Sequence, residues 1–171
     1  MAHKVWDGRH LTREQVESFL KEAKIARFCS LNGDGTIHAA PVWFKYEGGK
    51  IVILTPDRSC KARNVKRNKN VTILIDMEKP TRGVLIYGTA EARTLDNELE
   101  LEPAAVSMSE KYVSKEEAKR LAFYFFPKLT TWVKITVKPE RIASFDYAKD
   151  EVEEARYMKR IGMASSESTA P

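Results

Sequence analysis

Apolar positions first recur at helical spacing. In TREQVESFLKEAKIA, residues 12–26, Val16, Phe19, Leu20 and Ala23 share one side of a 3.6-residue repeat. Thr12 with Gln15 forms a T-x-x-Q capping box, so the segment predicts an amphipathic helix. The period then falls to two. RFCSLN, the turn NGDG and TIHAAPVWFKY read as a hairpin, because Asn-Gly and Asp-Gly supply the positive φ that tight turns require. A second turn, EGG at 47–49, leads into the β-branched KIVILT, and VTILID and RGVLIYGTAEAR follow as further strands.

Residues 95 to about 126 turn helical and end in the aromatic patch AFYFF before Pro127, which reads as core or interface. TTWVKITV and RIASFDY predict two closing strands around Pro139. Residues 149–160 are charged and predict a short surface helix, and IGMASSESTAP a frayed tail. With no repeat and no linker, one domain over 1–148 is expected, followed by the charged helix and flexible tail of 149–171. Six or seven short strands punctuated by turns, with few helices, predict a mainly β fold with α additions, a β-barrel.

Composition narrows the classes. A chain of 171 residues can bury about 70% of its unfolded surface, and 43% hydrophobic with 31% charged residues is ordinary for a globular fold. A net charge of +5 and a pI near 9.1 favour anionic partners. No apolar run approaches the ~18 residues of a membrane helix, and the charged N-terminus does not resemble a signal peptide. Cys29 and Cys60 make no disulfide framework, so a cytoplasmic protein without membrane partners is expected. His3, His10 and His38 lie far from both cysteines, which predicts no metal site; His38 is expected at the surface.

The candidate chemistry lies in TPDRSCKARNVKRNKNV, residues 55–71. Arg58, Lys61, Arg63, Lys66, Arg67 and Lys69 stand there against one acid, Asp57. Pro56 halts a strand, and Asp57 or Ser59 caps a helix running to about Asn68. Cations in a first helical turn oppose the macrodipole, unless an anion sits between them. Free N–H groups of Ser59, Cys60 and Lys61, the Ser59 hydroxyl and the Lys61 ammonium would then grip a phosphate. Two other readings stand beside this one: a solvated basic helix and a nucleic-acid surface. The segment has no aromatic residue on which a base could stack. Lys66, Arg67 and Lys69 read as solubilising, and Cys60 as a residue that contributes its backbone N–H in preference to its thiol.

The stretch from FCSLNGDG through PVWF, KIVILT, SCKARN and GTAEA, with the closing WVKITVKPERI, resembles the pyridoxamine 5′-phosphate oxidase-like, FMN-binding split-barrel family over roughly residues 11 to 147. The resemblance implies a six-stranded split β-barrel that forms a homodimer, with flavin sites at the subunit interface. It implies phosphate binding by Arg58, Ser59, Cys60 and Lys61, with Asn64 nearby, and a ring lying along Val42, Trp43, Leu54 and Thr55. Trp132 is the candidate contributed by the second subunit. RIASFDY runs into an acidic segment without the Arg-x-His element of the true oxidases, and Gly83 stands where some of them carry a glutamine. The pattern is more similar to the flavin or deazaflavin reductases. The resemblance thus implies FMN, alternatively a deazaflavin coenzyme, and hydride exchange through flavin N5 with a small-molecule substrate; nothing marks a catalytic acid or base. The alternative is a non-enzymatic flavin- or deazaflavin-binding protein. Nucleic acid is not an expected partner.

Overall fold

In a computed structural model of the chain, residues 11–125, 131–147 and 155–162 are described. Helix α1 (Arg13–Glu22) is capped as expected: Thr12 Oγ1 accepts the Gln15 N–H, and the Gln15 side chain accepts the Thr12 N–H. It ends earlier than its apolar spacing suggests, because Ala23 already has an extended backbone. Strands β1 (Ala26–Leu31) and β2 (Ile37–Val42) form the hairpin, with Gly35 supplying the positive φ at 85°. Gly48 (φ 56°) and Gly49 (φ 74°) likewise turn β3 (Lys45–Glu47) into β4 (Lys50–Pro56). Helix α2 (Cys60–Arg67) follows, then β5 (Asn70–Met77), β6 (Arg82–Leu95), α3 (Glu98–Ser109), α4 (Lys115–Phe125) and β7 (Trp132–Asp146).

The strands make one antiparallel sheet in the order β2-β1-β5-β6-β7-β4-β3, curled as a split barrel whose sheet is not closed. There are seven strands where the resemblance implies six, since Trp43 and Phe44 part β2 from the short β3. A second difference lies at Pro139. The two expected closing strands are one 15-residue β7, which pairs with β4 along Trp132–Val137 and with β6 along its whole length. A bulge between Tyr87 and Gly88 absorbs the irregularity opposite Pro139, which has no N–H to offer a regular ladder. A Cβ on Gly88 would stand 2.2 Å from the Lys138 carbonyl oxygen, so only glycine fits.

Alternation along the strands directs Phe28, Ile51, Ile53, Ile73, Ile75, Val84, Ile86, Val133 and Ile135 into the barrel. α1 closes one end of that core with Phe19 and Leu20, and α2 inserts Val65. Each such side chain contributes roughly 1.5–3 kcal/mol by leaving water. Of the aromatic patch, Ala122 is buried but Phe123 is 73% exposed, so Phe123 is not core; Phe126 lies outside the described residues. The C-terminal segment is helical at 155–160, and the expected tail from 163 lies outside the described residues.

Candidate functional site

β4 delivers the chain to α2 through Pro56, and Ser59 caps the helix. The Ser59 backbone is extended (φ −67°, ψ 152°), and its Oγ accepts the Ala62 N–H at 3.2 Å. Its own N–H donates to the Pro56 carbonyl at 3.0 Å. That donor, expected to be free for an anion, is therefore committed to the turn. The Cys60 and Lys61 N–H groups remain in the first turn, where a helix has no carbonyl four residues back to receive them. No acid occupies that turn.

Three side chains meet at this helix start. Thr55, 2% exposed at the end of β4, donates from Oγ1 to Ser59 Oγ at 3.0 Å. Lys61 Nζ donates to Thr55 Oγ1 at 3.4 Å. Burial holds the Lys61 amine below the ordinary lysine value, with the Cys60 thiolate form opposing. An anion placed against Nζ would relieve that cost of desolvation. Arg58 and Arg63 are exposed at the rim.

Behind the helix start, a buried polar network ties α2 to β1. Asn64 is 2% exposed; its Nδ2 donates to Asn32 Oδ1 at 2.9 Å and Ser30 Oγ at 3.1 Å, and its Oδ1 accepts from Arg67 at 2.7 Å. Arg67 also reaches the Leu31 carbonyl at 3.1 Å, and the Cys60 thiol donates to Asn32 Oδ1 at 3.3 Å. Asn64 thus turns its polar atoms toward β1, where it holds the helix in place. Arg67 is a structural cation rather than a solubilising one. Lys66 pairs with Asp57. Ser30 and Asn32 were not legible as parts of this region; NGDG marks a turn but not the inward reach of the Asn32 side chain.

The strand residues separate by face. Thr55 points inward with Ile51 and Ile53, while Leu54 lies half-buried on the other face with Val52. Phe44 is fully buried, and Trp43 is 42% exposed and stacked on Tyr112. Val42 packs against the core edge, and Trp43 leads into β3, whose Lys45 pairs with Val52. Half-buried Trp132 pairs with Pro56, and the Asp57 N–H donates to the Thr131 carbonyl at 2.9 Å. Trp132 therefore stands beside the helix start of its own chain. The structure gathers Thr55, Ser59, Cys60 and Lys61 with Trp132 alongside, sets Arg58 at the rim, and keeps Val42, Trp43 and Leu54 on neighbouring strand positions. His38 is half-buried on β2.

Gly83 packs closely under the Phe145 ring. A Cβ there would come within 2.6 Å of the Phe145 ring and 3.0 Å of the Ile75 carbonyl oxygen, so a glutamine in its place would require the Phe145 ring to move. Among the described residues no helix is long and apolar enough to cross a membrane, and no three His, Cys, Asp or Glu side chains group as metal ligands.

Residues 12–159 match the family model for pyridoxamine 5′-phosphate oxidase. The chain belongs to this family. A search of curated proteins finds no match. Solved structures with the family's fold resemble it over most of its length. A conserved hypothetical protein from Mycobacterium tuberculosis is 23% identical, covers 98% of this chain and 99% of its own, and superposes with a TM-score of 0.69. An F420 reductase is 19% identical, covers 81% and 98%, and gives 0.55. A pyridoxamine 5′-phosphate oxidase-related, FMN-binding protein from Nostoc punctiforme is 12% identical, covers 80% and 84%, and gives 0.58.

Proposed function

We propose that the chain binds one phosphorylated flavin per subunit, FMN or a deazaflavin coenzyme, and acts as a homodimeric oxidoreductase that exchanges hydride with a small substrate. The observation that carries this reading is the cluster of Thr55, Ser59 and Lys61 at the start of α2, an acid-free first turn with a half-buried ammonium and two available N–H groups. Those groups fit a phosphate in charge and in donor count. The names of two relatives, an F420 reductase and an FMN-binding protein, agree with it.

When bound, the flavin supplies a hydride acceptor and donor at N5. The chain's own residues anchor and orient it. Lys61 and the Cys60 and Lys61 N–H groups hold the phosphate, and the Asn64 network keeps that turn from shifting. Leu54 and Val52 offer an apolar strand face for the ring, and Trp132 flanks the phosphate end. Exposed Ile37 (74%) and Phe123 (73%) supply apolar surface that a second copy would cover.

The test is the absorption spectrum of the purified protein, with mass analysis of whatever is released on denaturation. A flavin or deazaflavin band with the matching mass is expected. A protein that neither carries nor takes up either cofactor overturns the reading. Light scattering should give twice 19.5 kDa, and a monomer at micromolar concentration rules out the dimer.

A further inference from the structure

A cavity of about 270 Å³ opens between α1, β3 and the α3–α4 junction, lined by Lys21, Lys45, Tyr46, Ser107, Glu110 and Lys111. Three ammonium groups and one carboxylate line it, and Glu47 beside Lys45 adds a second acid. Lys45 Nζ donates to Ser107 Oγ at 2.6 Å and stands 3.3 Å from the exposed Glu47 carboxylate. Lys111 Nζ donates to the Leu20 carbonyl at 3.0 Å and sits 3.4 Å from the centre of the Phe44 ring. Lys24 donates to the Lys111 carbonyl, adding a fourth cation behind the cavity wall.

Lys21, Lys45 and Lys111 outnumber the acids beside them, Glu110 and Glu47. Burial, with Lys24 beside it, lowers the Lys111 amine to about 8. Tyr46 shifts the other way: burial and then Glu17 raise its hydroxyl above the ordinary tyrosine value, with Arg13 opposing, so it stays a proton donor. No arginine lines the space, so recognition would come from point charges rather than a planar fork. The volume lies just under the usual 300–1,000 Å³ of ligand pockets, which suits a compact molecule. Tyr46 pairs with Ile51, so the cavity lies about 17 Å along β4 from Pro56, the strand end that leads to α2.

We propose that this cavity is a second anion site, separate from the α2 helix start, which takes a compact dianion: a dicarboxylate or a phosphate monoester. Lys21, Lys45 and Lys111 supply the charge, and the Tyr46 and Ser107 hydroxyls supply neutral donors. Glu110 selects against larger polyanions by repelling any group that extends past the lysines.

The experiment follows the lysine Cε resonances by NMR during titration with inorganic phosphate or succinate, against sodium chloride at equal ionic strength. Saturable shifts at Lys111 are expected, with its pKa rising by about 1–3 pH units as an anion settles beside it. Saturation by phosphate alone assigns a phosphate ester, by succinate alone a dicarboxylate, and by both a site that reads charge. Lys21→Met should weaken binding at least tenfold, and Glu110→Gln, which removes no contact that holds the fold, should tighten it about threefold. Saturating the protein with FMN should leave the titration unchanged. Shifts no larger than those with chloride, unaltered affinity in Glu110→Gln, or competition by FMN would each overturn the proposal.

Discussion

Trp43 lies flat on Tyr112, with ring centroids 4.2 Å apart and planes 7° from parallel. The Tyr112 hydroxyl accepts the Phe44 N–H at 2.7 Å and donates to the Phe44 carbonyl at 2.9 Å. The turn between α3 and α4 thus clasps the link between β2 and β3. Tyr112→Phe keeps the stack and removes both hydrogen bonds, leaving the buried Phe44 backbone without these partners. A loss of about 1–3 kcal/mol in urea unfolding is expected. A loss under about 0.5 kcal/mol, the scale of a neutral surface change, would show that the clasp does not hold the link.

Lys61→Ala should weaken FMN binding by about 1.5–3 kcal/mol, the range for hydrogen bonds to charged groups. Fluorescence titration measures it. Unchanged affinity would remove the phosphate from this turn of the helix.

The outer cations of α2 should divide by role. Lys66→Gln with Lys69→Gln should leave FMN affinity within about threefold, because exposed charges are screened. Arg67→Gln should destabilise the fold instead, by about 1–3 kcal/mol, since it strips a partner from buried Asn64. Binding to DNA that falls about 10³-fold between 50 and 200 mM salt, and that disappears with Lys66 and Lys69, would restore the nucleic-acid reading.

Lys111 and Tyr112 are neighbours that titrate in opposite senses. Burial brings the lysine down to about 8 from 10.5 and takes the tyrosine up to about 12 from 10.0, although the Phe44 hydrogen bond opposes the second shift. Between about pH 8 and 10.5 the unfolded chain holds a lysine proton that the folded chain has released, so stability rises with pH. Between about pH 10 and 12 the folded chain keeps a tyrosine proton that the unfolded chain loses, so stability falls. Urea midpoints across this range should show Lys111→Met flattening the rising limb and Tyr112→Phe the falling one. Limbs that survive both changes would assign them to other groups.

The split barrel was legible because its strands alternate cleanly and its turns carry glycines where φ must be positive. The start of α2 was legible because its cap and flanking cations lie within four residues, Arg58 to Lys61. What escaped depends on distant partners. Arg67 reads as surface charge until Asn64 and the Leu31 carbonyl receive its guanidinium, the second more than thirty positions away. Pro139 reads as a strand break because the glycine that accommodates it, Gly88, lies on another strand. Tyr112 sits in a stretch read only as helical, and its partner Phe44 is 68 residues upstream.

The pairing of β7 with β4 fixes the order in which the molecule can be completed. Pro56 meets Trp132, and the Asp57 N–H meets the Thr131 carbonyl, so the turn that presents Ser59 and Lys61 is pinned by residues made some 75 positions later. Closing a loop of that length is entropically slow. On the ribosome, every side chain of this turn has emerged long before the strand that steadies it. A fragment ending before Thr131 would carry Thr55, Ser59 and Lys61 and lack the strand that holds their turn in shape.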